Sequence, residues 1–167
     1  VFSSDNVGPP PGKNTPLRDF KGSLFEGGTR AAAFANWPGK IPSGQRIQDP
    51  MHIIDWFPSL VKLAGGNLEQ KLPLDGLDVW PMLTEKAPSP HEAILSVQSP
   101  QNAAVRMGDW KLIMIGDGAA ELPEESGKGK KAKKAKGRKY ESVMLFNLAK
   151  DPGETTNLAK QEPERLA

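Results

Sequence analysis

The sequence predicts an α/β chain in two parts: an α/β portion over residues 1–86, then a smaller α+β subdomain over residues 87–167, a small antiparallel sheet with a terminal helix. Three observations carry this. A short apolar run, Val1-Phe2-Ser3-Ser4, delivers Asp5 and Asn6 side by side, as a strand end does. Phe57, Leu60, Val61 and Ala64 recur at i, i+3, i+4 and i+7, the spacing of one helix face. Beyond Thr84–Pro90, with its two prolines, the pattern changes to short β-prone runs.

Composition sets outer bounds. At 167 residues, 37% hydrophobic and 25% charged, the chain is long enough for a real core and ordinary for a globular protein. No apolar run approaches the roughly eighteen residues that span a bilayer, and no signal sequence opens the chain. Cysteine is absent, which excludes disulfides, thiolate metal sites and a cysteine-derived nucleophile within these residues. A net charge of +2 names no partner. The chain opens inside a strand without an initiator Met and stops at Glu162-Pro163-Glu164-Arg165-Leu166-Ala167, the start of a helix, so a piece of something longer is expected.

In chain order, Asp5 and Asn6 come first. They offer hard oxygens with one negative charge, which suits Ca²⁺ or Mg²⁺; by themselves, an Asp-Asn pair near Gly8 equally makes a plain turn. Pro9-Pro10-Pro11-Gly12 fits neither helix nor strand and predicts a loop. Lys21 follows in a Gly-rich segment before Glu26-Gly27-Gly28, either solvated or aimed at an anionic ester. Arg30 is expected to pair with Glu26 four residues away, and Arg18 to serve the loop as well. Thr29 to Trp37, small-residued and apolar, predicts a buried strand ended by Pro38-Gly39. Asp55 caps a predicted helix to about Ala64, with Pro58 in its first turn, Gly65-Gly66 stopping it and the apolar face packed inward. His52 is expected to be structural and His91 a surface loop residue. Asp75–Leu83 reads as a tight turn and a short amphipathic segment. Strands are predicted at 93–97, 104–107, 110–115 and 143–148, with a hairpin turn at Gly108-Asp109, and Asp151–Leu158 leads to the terminal helix.

Between strands, Glu121 to Lys139 is an insert whose Gly/Lys-rich run, Lys128 to Lys139, is expected to be a disordered loop. It reads as a solvated insertion or as a salt-sensitive contact for a polyanion, sulfated polysaccharide or nucleic acid, nucleic acid being the less favoured.

Five blocks in order carry a resemblance: Ser4-Asp5-Asn6 with Pro16-Leu17-Arg18-Asp19-Phe20-Lys21-Gly22-Ser23-Leu24-Phe25-Glu26-Gly27-Gly28-Thr29-Arg30; His52–Ala64; Pro73–Trp80; Val105–Ile113; and Leu145–Leu158. Together they resemble the C-terminal portion of the type I, formylglycine-dependent sulfatases, nearest in look to the arylsulfatase B (N-acetylgalactosamine-4-sulfatase) branch. The resemblance implies an alkaline-phosphatase-like sulfatase fold, with residues 1–86 as the C-terminal part of a large α/β domain. It implies Asp5 and Asn6 as ligands of Ca²⁺, or Mg²⁺, and Lys21 as the catalytic sulfate contact. The formylglycine nucleophile, made in a Cys/Ser-x-Pro-x-Arg motif, is implied upstream with a further Asp pair, Lys and His, so these residues alone are expected to be inactive. A sulfated small molecule or sulfated polysaccharide is the implied substrate, and a periplasmic, extracellular or lysosomal location the implied setting.

One departure touches the site: Val7 stands where the family carries Gly, and a positive φ there would strain it. Two alternatives stay open. A phosphoesterase or phosphonate hydrolase of the alkaline phosphatase superfamily would want several His ligands, and this chain has two. A non-catalytic sulfatase-like glycan-binding protein would lack the upstream nucleophile motif.

Overall fold

The β-prone runs beyond the linker do form an antiparallel sheet, in the order β3 (Ile94–Ser99), β4 (Asn102–Met107), β5 (Trp110–Ile115), β6 (Val143–Asn147). The fold is that of a computed structural model, which describes residues 1–116 and 140–166. The basic insert at 121–139 lies outside the described residues. Strands β4 and β5 meet in the predicted hairpin, Met107 opposite Trp110, with Gly108 at φ 53° in its turn. Strands β5 and β6 pair Lys111 with Phe146 and Ile113 with Met144. The period of two in β5 puts Lys111, Ile113 and Ile115 on the buried side. Ile113 and Ile115 join Ala104, Met144, Phe146, Leu148, Leu24 and Phe25 in one core, against which Tyr140 packs.

Beyond β6 the chain turns back along that strand. Asp151 accepts from the amides of Thr155 and Thr156, four and five residues on, at 2.7 and 2.9 Å, and so holds the turn closed. Asn157 Oδ1 then accepts from Leu145 N at 3.0 Å, and Leu158 N donates to Leu145 O at 2.8 Å, so this edge position of β6 has its hydrogen bonds satisfied. Within the described residues the terminal helix is a single 3-10 turn, Pro163–Arg165, and the Arg165 guanidinium lies 4.3 Å over the Trp110 ring.

This sheet, Leu95–Ala167, and the segment Ser4–Ala32 form one compact unit; Val1–Ser3 and Ala33–Ile94 form the other. In the latter, β1 (Phe2–Ser3) pairs antiparallel with β2 (Ala33–Phe34), and the Phe2 and Phe34 rings stack at 5.0 Å. The expected buried strand from Thr29 to Trp37 is therefore only two residues, and both are exposed. An apolar run is a buried strand only where neighbours flank it on both faces; β2 has one two-residue partner, and Thr29 belongs to a helical turn instead.

A 3-10 turn, Ile53–Asp55, leads into α2 (Trp56–Leu63), close to the predicted bounds. Its apolar stripe does not pack inward. Phe57 is 58% and Leu60 45% exposed, while Pro58 and Ser59 are buried. The inward side is held by polar bonds: Ser59 Oγ donates to Asp55 O at 2.7 Å and accepts from Val79 N at 2.8 Å. Directional bonds to buried backbone groups fixed the helix orientation, and the stripe was left outward. The short amphipathic segment is α3 (Trp80–Glu85), which supplies the buried Met82 and Leu83.

His91 also departs from expectation. Its side chain is 11% exposed, and Nε2 lies 2.9 and 2.8 Å from the two carboxylate oxygens of Asp55, which is fully buried. Asp55 further accepts from His52 N at 2.6 Å and Leu77 N at 2.9 Å. A buried carboxylate requires donors on its lone pairs, and His91 supplies one. His52 is structural as expected: its Nδ1 accepts from Ile54 N at 3.4 Å.

Nearby, burial would raise the Asp78 carboxyl, yet the Trp80 amide and the Lys62 ammonium at 3.1 Å outweigh it and hold it below the ordinary carboxylate range.

Candidate functional site

Strand β1 ends in the Asp5-Asn6 corner. Ser4 N donates to Ala32 O at 2.9 Å, and Ser4 Oγ donates to Asn6 O at 2.8 Å, closing a tight local turn. The Asn6 amide donates to Asp5 Oδ2, so the two predicted ligands touch. Asp5 is exposed and Asn6 half-buried. Val7 is unstrained: outside glycine, positive φ falls only on Asp19, Lys86 and Glu154 among the described residues.

Lys21 sits at the tip of a turn, Phe20 to Ser23, closed by Ser23 N donating to Phe20 O at 3.1 Å. Gly22 follows at φ 89°, the left-handed third position that favours glycine in a type II turn. Lys21 is exposed on this short, defined loop. The Gln98 amide of β3 donates to Gly22 O, anchoring the turn to the sheet.

The turn is clamped behind by α1 (Glu26–Thr29), which replaces the expected Glu-Gly-Gly turn. Gly27 N donates to Arg18 O at 2.8 Å, and a Cβ on Gly27 would fall 2.2 Å from that same oxygen, so only glycine allows the approach. The Asp5-Asn6 corner is drawn to this loop by Asn14, whose Nδ2 donates to Gly8 O and Asp19 O at 3.0 Å and Gly27 O at 3.1 Å. Tyr140 Oη donates to Asp19 Oδ2 at 2.7 Å. Arg18 lies 4.0 Å over the Phe25 ring, and its Nη1 donates to Glu154 O at 2.8 Å. As expected, Arg30 pairs with Glu26, at 3.8 Å, and Arg18 braces the loop.

Beneath the loop lies a buried ionic cluster. Lys111 Nζ is 2.9 Å from Glu26 Oε1 and 3.1 Å from Glu154 Oε1, and all three side chains are at most 4% exposed. Glu154 Oε2 accepts from Glu26 N at 2.6 Å, and Arg106 Nη1 lies 3.9 Å from Glu26 Oε2. Burial pushes the Glu154 carboxyl up; the Lys111 charge and its hydrogen bonds oppose this, and the Glu26 charge adds to it. Sequence reasoning missed this cluster, although Lys111 falls on the apolar parity of β5 with Ile113 and Ile115, and a lysine there needs buried partners.

The donor set at Asp5 and Asn6 is hard oxygen, as Ca²⁺ or Mg²⁺ prefers, but two residues supply only part of the six to eight ligands Ca²⁺ takes. Among the described residues no group of three or more His, Cys, Asp or Glu side chains could hold a metal ion. The pair fits as a partial ligand set.

Arylsulfatase J of Mus musculus is 30% identical over 191 residues, covering 98% of this chain and 32% of that protein. Arylsulfatase A of Homo sapiens is 34% identical over 147 residues, covering 85% and 28%. In fold, Ps i-CgsB matches with a TM-score of 0.77 at 29% identity, over 99% of this chain and 33% of that one. The chain is a partial segment of the sulfatase family. No family model matches it. The PsFucS1 sulfatase from Pseudoalteromonas sp. shares the fold, with a TM-score of 0.67 at 23% identity over 93% of this chain and 32% of that one. The chain spans about a third of the length of the arylsulfatases it matches, as the 32% and 28% coverages state. The sulfatase likeness rests at the level of the family, the relatives carrying the names arylsulfatase J and A. Ps i-CgsB has also been solved in complex with k-i-k-neocarrahexaose.

Proposed function

We propose that this chain is part of an arylsulfatase-like sulfuric ester hydrolase that cleaves sulfate esters of sugars, with Asp5, Asn6 and Lys21 as its share of the site. The observation that carries this is that, in one unit of a sulfatase segment, Asn14 ties a carboxylate–carboxamide corner to a braced turn bearing the exposed Lys21. The neocarrahexaose complex of Ps i-CgsB supports a sulfated carbohydrate as the substrate class.

Asp5 and Asn6 would hold the Ca²⁺, or Mg²⁺, together with ligands from outside this segment. Such an ion, when bound, draws negative charge from the sulfate oxygens. Lys21 contributes a compact, strongly hydrated cation on a flexible stem, suited to a peripheral sulfate oxygen and to the charge that develops as the ester bond breaks. The turn and α1 fix where that stem begins. The nucleophile, a formylglycine, lies upstream of these residues, and residues 1–86 belong to the C-terminal part of the large α/β domain with 87–167 as the small C-terminal subdomain. A periplasmic, extracellular or lysosomal setting belongs to the same reading.

The test is the coding frame upstream of Val1 and the activity of its complete product. A frame through Cys/Ser-x-Pro-x-Arg and an Asp pair, with turnover of a chromogenic aryl sulfate, is the expected result. A complete product that lacks the motif and binds sulfated glycans without hydrolysis would overturn it.

A further inference from the structure

We propose that Asn14 is a positioning residue that holds the Asp5-Asn6 corner and the Lys21 turn at one fixed separation; this rests on reading those residues as the two halves of the site. One carboxamide nitrogen, with two hydrogens to give, faces three backbone carbonyls from three separate stretches. Gly8 O belongs to the corner, Asp19 O to the approach to Lys21, and Gly27 O to α1. The contact is close on the corner side as well, since a Cβ on Gly8 would come within 3.2 Å of Asn14 Oδ1. Asn14 O in turn accepts from Leu17 N at 2.8 Å, so the residue also turns its own backbone into the loop.

No other side chain of this size meets the requirement. Aspartate would set lone pairs against three carbonyl oxygens, and alanine would leave all three without this donor. Asn14 is outside the apolar core that Phe25, Ile113 and Phe146 share, so its removal separates the corner from the turn without emptying the core. The chemistry needs such a tie because a misplacement of about 1 Å between binding groups can cost roughly 100-fold in rate.

The experiment compares the complete protein that carries this chain with its N14A and N14D variants by amide hydrogen exchange and by NMR titration with Ca²⁺ and inorganic sulfate, each read at the residues of this chain. In both variants the amides of β4, β5 and β6 should keep wild-type protection, reporting an intact fold, while Leu17 and Gly27 exchange about tenfold faster or more. In the wild-type protein, Ca²⁺ at the corner should raise the sulfate affinity read at Lys21; in the variants each ion still shifts its own residues, and the linkage between them is lost. Exchange within twofold of wild type, or linkage retained in N14A and N14D, would overturn the proposal. Absence of any response to either ion in the complete wild-type protein would overturn the site reading and Asn14's role in it; the exchange difference would still be present then, which tells the two failures apart.

Discussion

Lys111→Met removes the ammonium that, among the described residues, faces both buried carboxylates, and leaves an apolar tip of similar length. In the native fold Nζ stands 2.9 Å from Glu26 and 3.1 Å from Glu154. Without it Glu154 keeps the Glu26 amide at 2.6 Å, and among the described residues Glu26 keeps Arg30 and Arg106 at 3.8 and 3.9 Å. Removing one partner of a buried pair costs about 3–5 kcal/mol, because the remaining charge is uncompensated. Set against a typical stability of about 5–15 kcal/mol, the variant should be marginal. At about 2–4 °C per kcal/mol for chains of this length, the melting temperature should fall by roughly 6–20 °C. Urea unfolding followed by tryptophan fluorescence reads the loss, and Lys111→Met with Glu154→Gln should recover part of it by discharging one carboxylate. A cost under about 1 kcal/mol, the range of an exposed pair, would refute the reasoning by showing the cluster to be solvated.

Other consequences follow from the same geometry. The folded Glu154 carboxyl titrates above its ordinary 4.5, so between that value and its raised pKa the native state binds more protons than the unfolded state. Stability then falls as pH rises through that window, and Glu154→Gln should flatten this part of the pH–stability curve; a slope unchanged by the substitution would contradict it. His91→Ala should cost about 1–3 kcal/mol by leaving the buried Asp55 carboxylate short of a donor, whereas a surface histidine would cost almost nothing; denaturant midpoints decide. Phe57→Ser with Leu60→Ser should change the stability of this chain by less than about 1 kcal/mol, since both side chains already face outward, and a larger loss would mean that the helix face is covered. Gly27→Ala should be severely destabilising through its collision with the Arg18 carbonyl, read as a loss of soluble folded protein.

The sheet was legible because its signals are local. Alternation in Trp110–Ile115 and the Gly108-Asp109 turn specify a hairpin with little help from the rest of the chain, and the strand bounds agree to within about two residues. The Asp5-Asn6 corner was legible for a related reason, since glycine and short polar side chains mark where the backbone bends. What stayed hidden depends on partners far along the chain. Apolar periodicity shows that Phe57 and Leu60 share a face but not what that face meets. His91 finds Asp55 across 36 residues, and Glu26 finds Lys111 across 85 and Glu154 across 128. Such buried ionic partners leave only an indirect mark, a charged residue on the parity of a buried strand face, and Lys111 carried that mark.

The measurement that bears most directly on the sulfatase reading is the turnover of a chromogenic aryl sulfate by the complete protein, its Asp5→Ala and Lys21→Ala variants, and the 167-residue chain alone. Loss of at least about 100-fold in kcat/KM for each variant, with no turnover by the chain alone, is the predicted result, in line with the removal of a group that stabilises developing charge. Wild-type rates in Lys21→Ala, or turnover by the chain alone on addition of Ca²⁺, would contradict it.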